Sequence, residues 1–175
     1  MCLTIDKIIH SHNINTENIS TLCGNSFCEV FPLIAKKDVL VYKVLELPTE
    51  EYVFYNEKHA WLTPFRHLPV IFKDGIDKIE SNLVVVKKDK TCDTITHFSL
   101  NNYIVNIGIH SYTNEREVKC YDPYNRKIFK AVIPKGTPFY VGTNGDIVSK
   151  ELIIYEYWDS INNSDYLTMA DLLFE

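Results

Sequence analysis

Apolar residues in this chain recur in short runs with a period near two, and Gly, Pro, Asn or Asp interrupts them at close intervals. Residues 38–46, DVLVYKVLE, form the first long run, rich in β-branched side chains and long enough to cross a sheet. Residues 127–134, KIFKAVIP, alternate Ile128, Lys130 and Val132 against Phe129, Ala131 and Ile133, and Pro134 ends the strand. Lys135-Gly136 is a turn, PFYVG a short strand, and Thr143-Asn144-Gly145-Asp146 a hairpin loop built on Asn-Gly. IVSKELIIYEY is the return strand. The pattern predicts one mostly antiparallel sheet from residues 127–133, 138–142 and 147–156, with no helix between 138 and 156.

The remaining segments are shorter. YVFY at 52–55 reads as a strand, and Pro64 and Pro69 confine residues 59–72 to edge strands or loop. Residues 74–81, DGIDKIES, read as a single helical turn, and 82–88 with 93–99 as a hairpin across the polar loop 89–92. Residues 101–112, NNYIVNIGIHSY, read as one further strand. Thr113 followed by acids marks a helix start. At the C-terminus, Leu167, Ala170, Leu173 and Phe174 recur on one side of a short amphipathic helix with an Asn/Ser/Asp start. Residues 1–37 are irregular and drape over the globular unit 38–175. Together these elements predict a β-rich, single-domain α+β fold with mostly antiparallel sheets and two or three short helices.

Composition narrows the function classes. A chain of 175 residues, 46% hydrophobic and 23% charged, fits one domain with a real core. Eleven Tyr and nine Phe favour strands over a helical bundle. The net charge of −5 argues against a nucleic-acid binder, whose surface must be basic. No window approaches the roughly 18 apolar residues of a membrane helix. The segment MCLTIDKIIHSHN has no continuous apolar core of a signal peptide, so the expected location is the cytoplasm.

Five cysteines (Cys2, Cys23, Cys28, Cys92 and Cys120) are no disulfide framework. Cys23 and Cys28, with His10 and His12 upstream, have the residue types of a zinc site, but the two histidines lie two apart in a polar segment; ordinary semi-buried thiols and no metal are the expectation. Cys2 follows the initiator Met, and removal of Met1 would expose an α-amine and thiol able to act as base and nucleophile in a hydrolase.

The order VYKVL, TPF, GIHSYTNEREV and then FKAVIPKGTPFYVGTNGDIVSKELIIYE resembles a family of small uncharacterised proteins encoded by gut bacteria and their phages, which also begin Met-Cys-Leu. The likeness spans residues 38–156. More remotely the layout is similar to ADP-ribosyltransferase-like domains. That resemblance implies an NAD-holding residue on the opening strand, a middle-strand Ser or Tyr, and a catalytic Glu before a late strand. Carried onto this chain, the positions fall on Tyr42 and Lys43, on Ser111 with His110 beside it, and on Glu151. Lys43 stands where Arg or His is expected and lacks the guanidinium fork, and Ser149 stands where the family has Glu or Gln. The chemistry would need the Glu151 carboxylate beside an oxocarbenium-like ribose.

Because the departures fall where a ligand's negative charge must be met, the favoured expectation is a non-catalytic binding module without cofactor. Such a module would be a phage or bacterial accessory protein that engages a protein partner. Trp61, Phe65 and Arg66 are residue types that dominate interfaces. An NAD-binding transferase and the Cys2 hydrolase are the alternatives.

Overall fold

The computed structural model describes residues 3–5, 14–15, 29–47, 60–64, 68–87, 103–118, 126–143, 145–168 and 171. Four short strands come first: β1 (Leu3–Thr4), β2 (Ile14–Asn15), β3 (Glu29–Val30) and β4 (Leu33–Ile34). The long β5 (Val39–Glu46) follows, then β6 (Trp61–Leu62), β7 (Pro69–Val70), β8 (Ile76–Glu80), β9 (Val84–Lys87), β10 (Tyr103–Ile107) and β11 (Ile109–Tyr112). One turn of helix, α1 (Glu115–Val118), leads to β12 (Arg126–Ile133), β13 (Pro138–Val141), β14 (Asp146–Ser149) and β15 (Glu151–Tyr155). Two 3₁₀ turns, Trp158–Ser160 and Asn163–Asp165, complete the described elements. The protein is a β-rich single domain of antiparallel sheets, with almost no helix among the described residues.

The main sheet runs β4-β13-β14-β11-β5-β12-β15-β8, and β6 and β7 branch from β5. Three short links join strands four places apart in that order. Residues 35–38 join β4 to β5, residues 134–137 join β12 to β13, and Lys150 alone joins β14 to β15. The first half of the sheet therefore continues covalently into the second, and the sheet curls round on itself. The links are tied: Ala35 N–H donates to Thr137 O at 3.1 Å, Gly136 N–H to Ala35 O at 2.7 Å, and Lys150 N–H to Pro138 O at 3.1 Å.

Alternation fills the inside of this curl. Val39, Val41 and Leu45 of β5 meet Phe129, Ala131 and Ile133 of β12, Ile109 of β11, Phe139 of β13, Ile147 of β14, and Leu152 and Ile154 of β15 in one buried cluster. The opposite faces are also covered in part. Leu40 and Val132 pack with Ile161, Tyr155 and Tyr166, and Val44 packs with Tyr112 and Val118 of α1. Burial on both faces explains why β5 and β12 read as nearly continuous apolar runs.

Several elements differ from expectation. Residues 74–81 contain the strand β8, not a helical turn. Asp74 and Gly75 both take positive φ, 54° and 83°, and Lys73 and Ile76 exchange backbone hydrogen bonds of 2.9 and 3.2 Å across them. That is the two-residue hairpin an Asp-Gly pair favours. Residues 103–112 form two strands in different sheets, because the chain breaks at Gly108. A Cβ there would lie 2.1 Å from Val148 Cγ1 and 2.8 Å from Leu83 Cδ2, so no other residue fits. The return strand is likewise divided at Lys150. Leu167 is not helical: it forms a parallel bridge with Val39. Helical geometry appears instead at Asp171, whose carboxylate accepts from the Thr168 N–H and hydroxyl at 2.8 and 2.6 Å, a capping arrangement. Among the described residues β9 pairs with β10; the expected strands at 52–55 and 93–99 lie outside them.

Candidate functional site

β5 and β12 pair over their full lengths, from Arg126↔Glu46 to Ile133↔Val39. On its other side β5 meets β11 through one pair, Tyr112↔Tyr42. This seam holds four of the residues singled out from the sequence. Continuing the register by one step sets Ser111 opposite Lys43, on the interior face. His110 lies next to them and Tyr42 on the outer face.

Lys43 is buried at 4% exposure, and its Nζ donates to the His110 carbonyl oxygen. A side chain thus occupies an acceptor in the stretch where the β5–β11 ladder stops. Burial pushes the Lys43 amine down to about 7, because a charged ammonium is poorly solvated among Val41, Leu45 and Phe129. Ser111 is fully buried, and its Oγ finds no hydrogen-bond partner among the described residues. On the outer face Tyr42 stacks at 5.8 Å on Trp158, and Lys130 Nζ lies 5.0 Å from the same ring while donating to Ile161 O at 3.2 Å. Burial, and secondarily the Glu115 carboxylate, push the Tyr42 hydroxyl up.

Glu151 sits elsewhere. It opens β15, opposite Glu80 of β8, and β5 and β12 lie between β15 and β11 in the sheet order. Lys78 Nζ holds Glu151 Oε1 at 3.0 Å and Glu80 Oε1 at 3.1 Å. Ser149 points its Oγ at the Glu151 carbonyl, 3.0 Å away. The sequence-predicted residues therefore divide into an interior pair (Lys43 and Ser111, with the His110 carbonyl), His110 and Tyr42 on the outer face of the same seam, and a solvent-side carboxylate already paired.

Trp61 is partly buried, and its ring meets Phe129 edge-on at 5.1 Å, with Phe72 5.4 Å from the same ring. Phe65 and Arg66 lie outside the described residues, as do Cys2, His10, His12, Cys23 and Cys28. Among the described residues no group of three His, Cys, Asp or Glu side chains is placed to hold a metal, and no helix is long and apolar enough to cross a membrane.

Sequence reading missed the outer face of the β15–β8 pair. Ile76 stands opposite Tyr155, and Lys78 opposite Ile153. Ile76 is 46% exposed, Tyr157 62% and Trp158 40%. Tyr157 lies over Gly75, within 3.4 Å of where a Cβ would be, and Glu156 N–H donates to Gly75 O at 2.8 Å. The signal was present in the Asp-Gly pair at 74–75 followed by Ile76. Beside this face an open groove of about 420 Å³ is lined by Lys37, Asp38, Lys135, Asp165, Tyr166 and Leu167.

Comparison of the chain with protein-family models, curated proteins and solved structures gave no match.

Proposed function

We propose that this protein acts as a non-catalytic binding module for a protein partner, using the outer face of the β15–β8 pair. The observation that carries the reading is the exposure of Ile76 and of Tyr157, whose ring lies over Gly75 of the same hairpin. Large apolar side chains held by a sheet and a tight hairpin lose little freedom on binding, and aromatic anchors of this kind dominate protein interfaces. The platform replaces residues 61–72 as the proposed surface, because Trp61 and Phe72 are turned onto Phe129. A transferase reading would need Glu151, Ser111 and Lys43 around one ligand. Two of these are fully or almost fully buried and the third is engaged with Lys78, which favours binding over turnover.

The test is capture of partners from host lysate by the full chain, beside an Ile76→Asp/Tyr157→Ser variant and a thermal-shift measurement with NAD. A protein recovered by the parent chain and lost by the variant supports the reading. A clear NAD-dependent rise in melting temperature, with no partner recovered, replaces it with the enzyme.

A further inference from the structure

We infer that the partner segment docking on this platform is a basic one, carrying Lys or Arg beside apolar anchors; the inference rests on the binding reading above. Charge supplies the argument. The apolar centre, Ile76 and Tyr157 with Tyr155 opposite Ile76, is bordered by Asp74 at the hairpin tip, by Glu156 and Asp159 next to Tyr157 in the chain, and by Glu80 and Glu151 at the far end of the pair. Two ammonium groups, Lys73 and Lys78, share that border, and Lys78 is already held between Glu80 and Glu151. From residue 151 onward the sequence carries six acids and neither Lys nor Arg. A border with more carboxylates than ammonium groups around an apolar centre favours a partner of the opposite sign over an acidic one.

The mode of contact is also constrained. β8 is the last strand of the sheet path, where a partner could add a strand. Two of its outward donors are already used. Ile76 N–H donates to Lys73 O, and Lys78 N–H donates to Asp77 Oδ1 at 2.9 Å, while Asp77 Oδ2 takes the Ile71 N–H at 2.9 Å. An added strand would find those two ladder positions taken, so side chains carry the recognition.

The experiment uses the full chain and three synthetic twelve-residue peptides, read by anisotropy at low salt. One alternates Leu or Trp with Arg and Lys, the second replaces every basic residue by Glu, and the third replaces every apolar residue by Ser. The first should bind, and the other two should bind at least about tenfold more weakly. Asp74→Lys/Asp159→Lys should weaken the first peptide about tenfold, whereas Glu46→Lys/Asp146→Lys, an equal charge change on β5 and β14, should leave it within about twofold. Equal weakening by the two double variants, or equal binding of the acidic peptide, overturns the inference. A lysate partner lost with Ile76→Asp/Tyr157→Ser but retained by Asp74→Lys/Asp159→Lys overturns the basic-segment inference while the binding reading stands. If no lysate partner is recovered, both fall.

Discussion

Lys78 Nζ lies 3.0 Å from Glu151 Oε1, across the pair of strands that each residue helps to build. The carboxylate that the sequence offers as a catalytic group is thereby held on the outer face. Glu151→Gln removes one half-exposed ion pair, and such pairs contribute about 0–1 kcal/mol. The expected outcome is a melting temperature within a few degrees of the parent and unchanged partner capture, checked by thermal unfolding and pull-down.

Lys43 gives the pH dependence. Its folded-state value of about 7 lies below the ordinary 10.5, so between these two pH values the unfolded chain binds a proton that the folded chain does not. Stability should therefore rise as pH increases from about 7 towards 9.5, and the full penalty is present below 7. Lys43→Met removes the penalty, which is on the order of 4 kcal/mol before the lost bond to His110 is counted. Urea unfolding should show the variant more stable at pH 6.5, with a flatter profile up to pH 9.5. A variant less stable than the parent at pH 6.5 would contradict this account.

Gly108 and Gly136 separate two costs. Gly136 has φ +86° with nothing within 4 Å of a Cβ, so Gly136→Ala adds only backbone strain, about 1–2 kcal/mol. Gly108→Ala drives a methyl into Val148 and Leu83, and should cost several kcal/mol or abolish folding. Denaturation midpoints of the two variants, ranked against the parent, check the order.

Asp77 guards the open edge. Asp77→Ala leaves the Ile71 and Lys78 N–H groups to water, at a cost of about 0.5–1.5 kcal/mol. It also frees donors on an edge strand, so self-association should rise. Light scattering and analytical ultracentrifugation at matched concentration measure it.

The strands were legible where one alternation served one sheet. Residues 126–133, 138–141 and 146–155 obey the period of two, and Pro134, Gly136 and Gly145 mark their turns. What failed was continuity. Gly108 interrupts one apolar run where the chain leaves one sheet for another, and at Lys150 the inward positions change phase, from Ile147 and Ser149 to Leu152 and Ile154. Asp74-Gly75 was read as helical although the pair is a hairpin signal, and the strand it starts is half charged, as an edge strand should be. The tail misled through Leu167, whose helical spacing with Ala170 hides a bridge to Val39. The candidate site was legible only as residue types. Lys43 and Ser111 do lie side by side, but their burial follows from the curl of the sheet, a long-range property with no local signature.

That curl also determines where the interior can be reached. Lys150, residues 134–137 and residues 35–38 fasten one half of the sheet to the other by peptide bonds, and β5 is laced to β12 along eight pairs. Against these, the ladder between β5 and β11 is the single pair Tyr42 and Tyr112, with the amine of Lys43 as its latch and Val118 packed across Val44 and Tyr112. Of these two ladders of β5, this one should open first, and the chemistry it exposes is the Lys43 amine, which burial holds near 7. Amide exchange at Tyr112 and Ser111 should therefore run ahead of exchange at Phe129 and Ala131, although all four are buried.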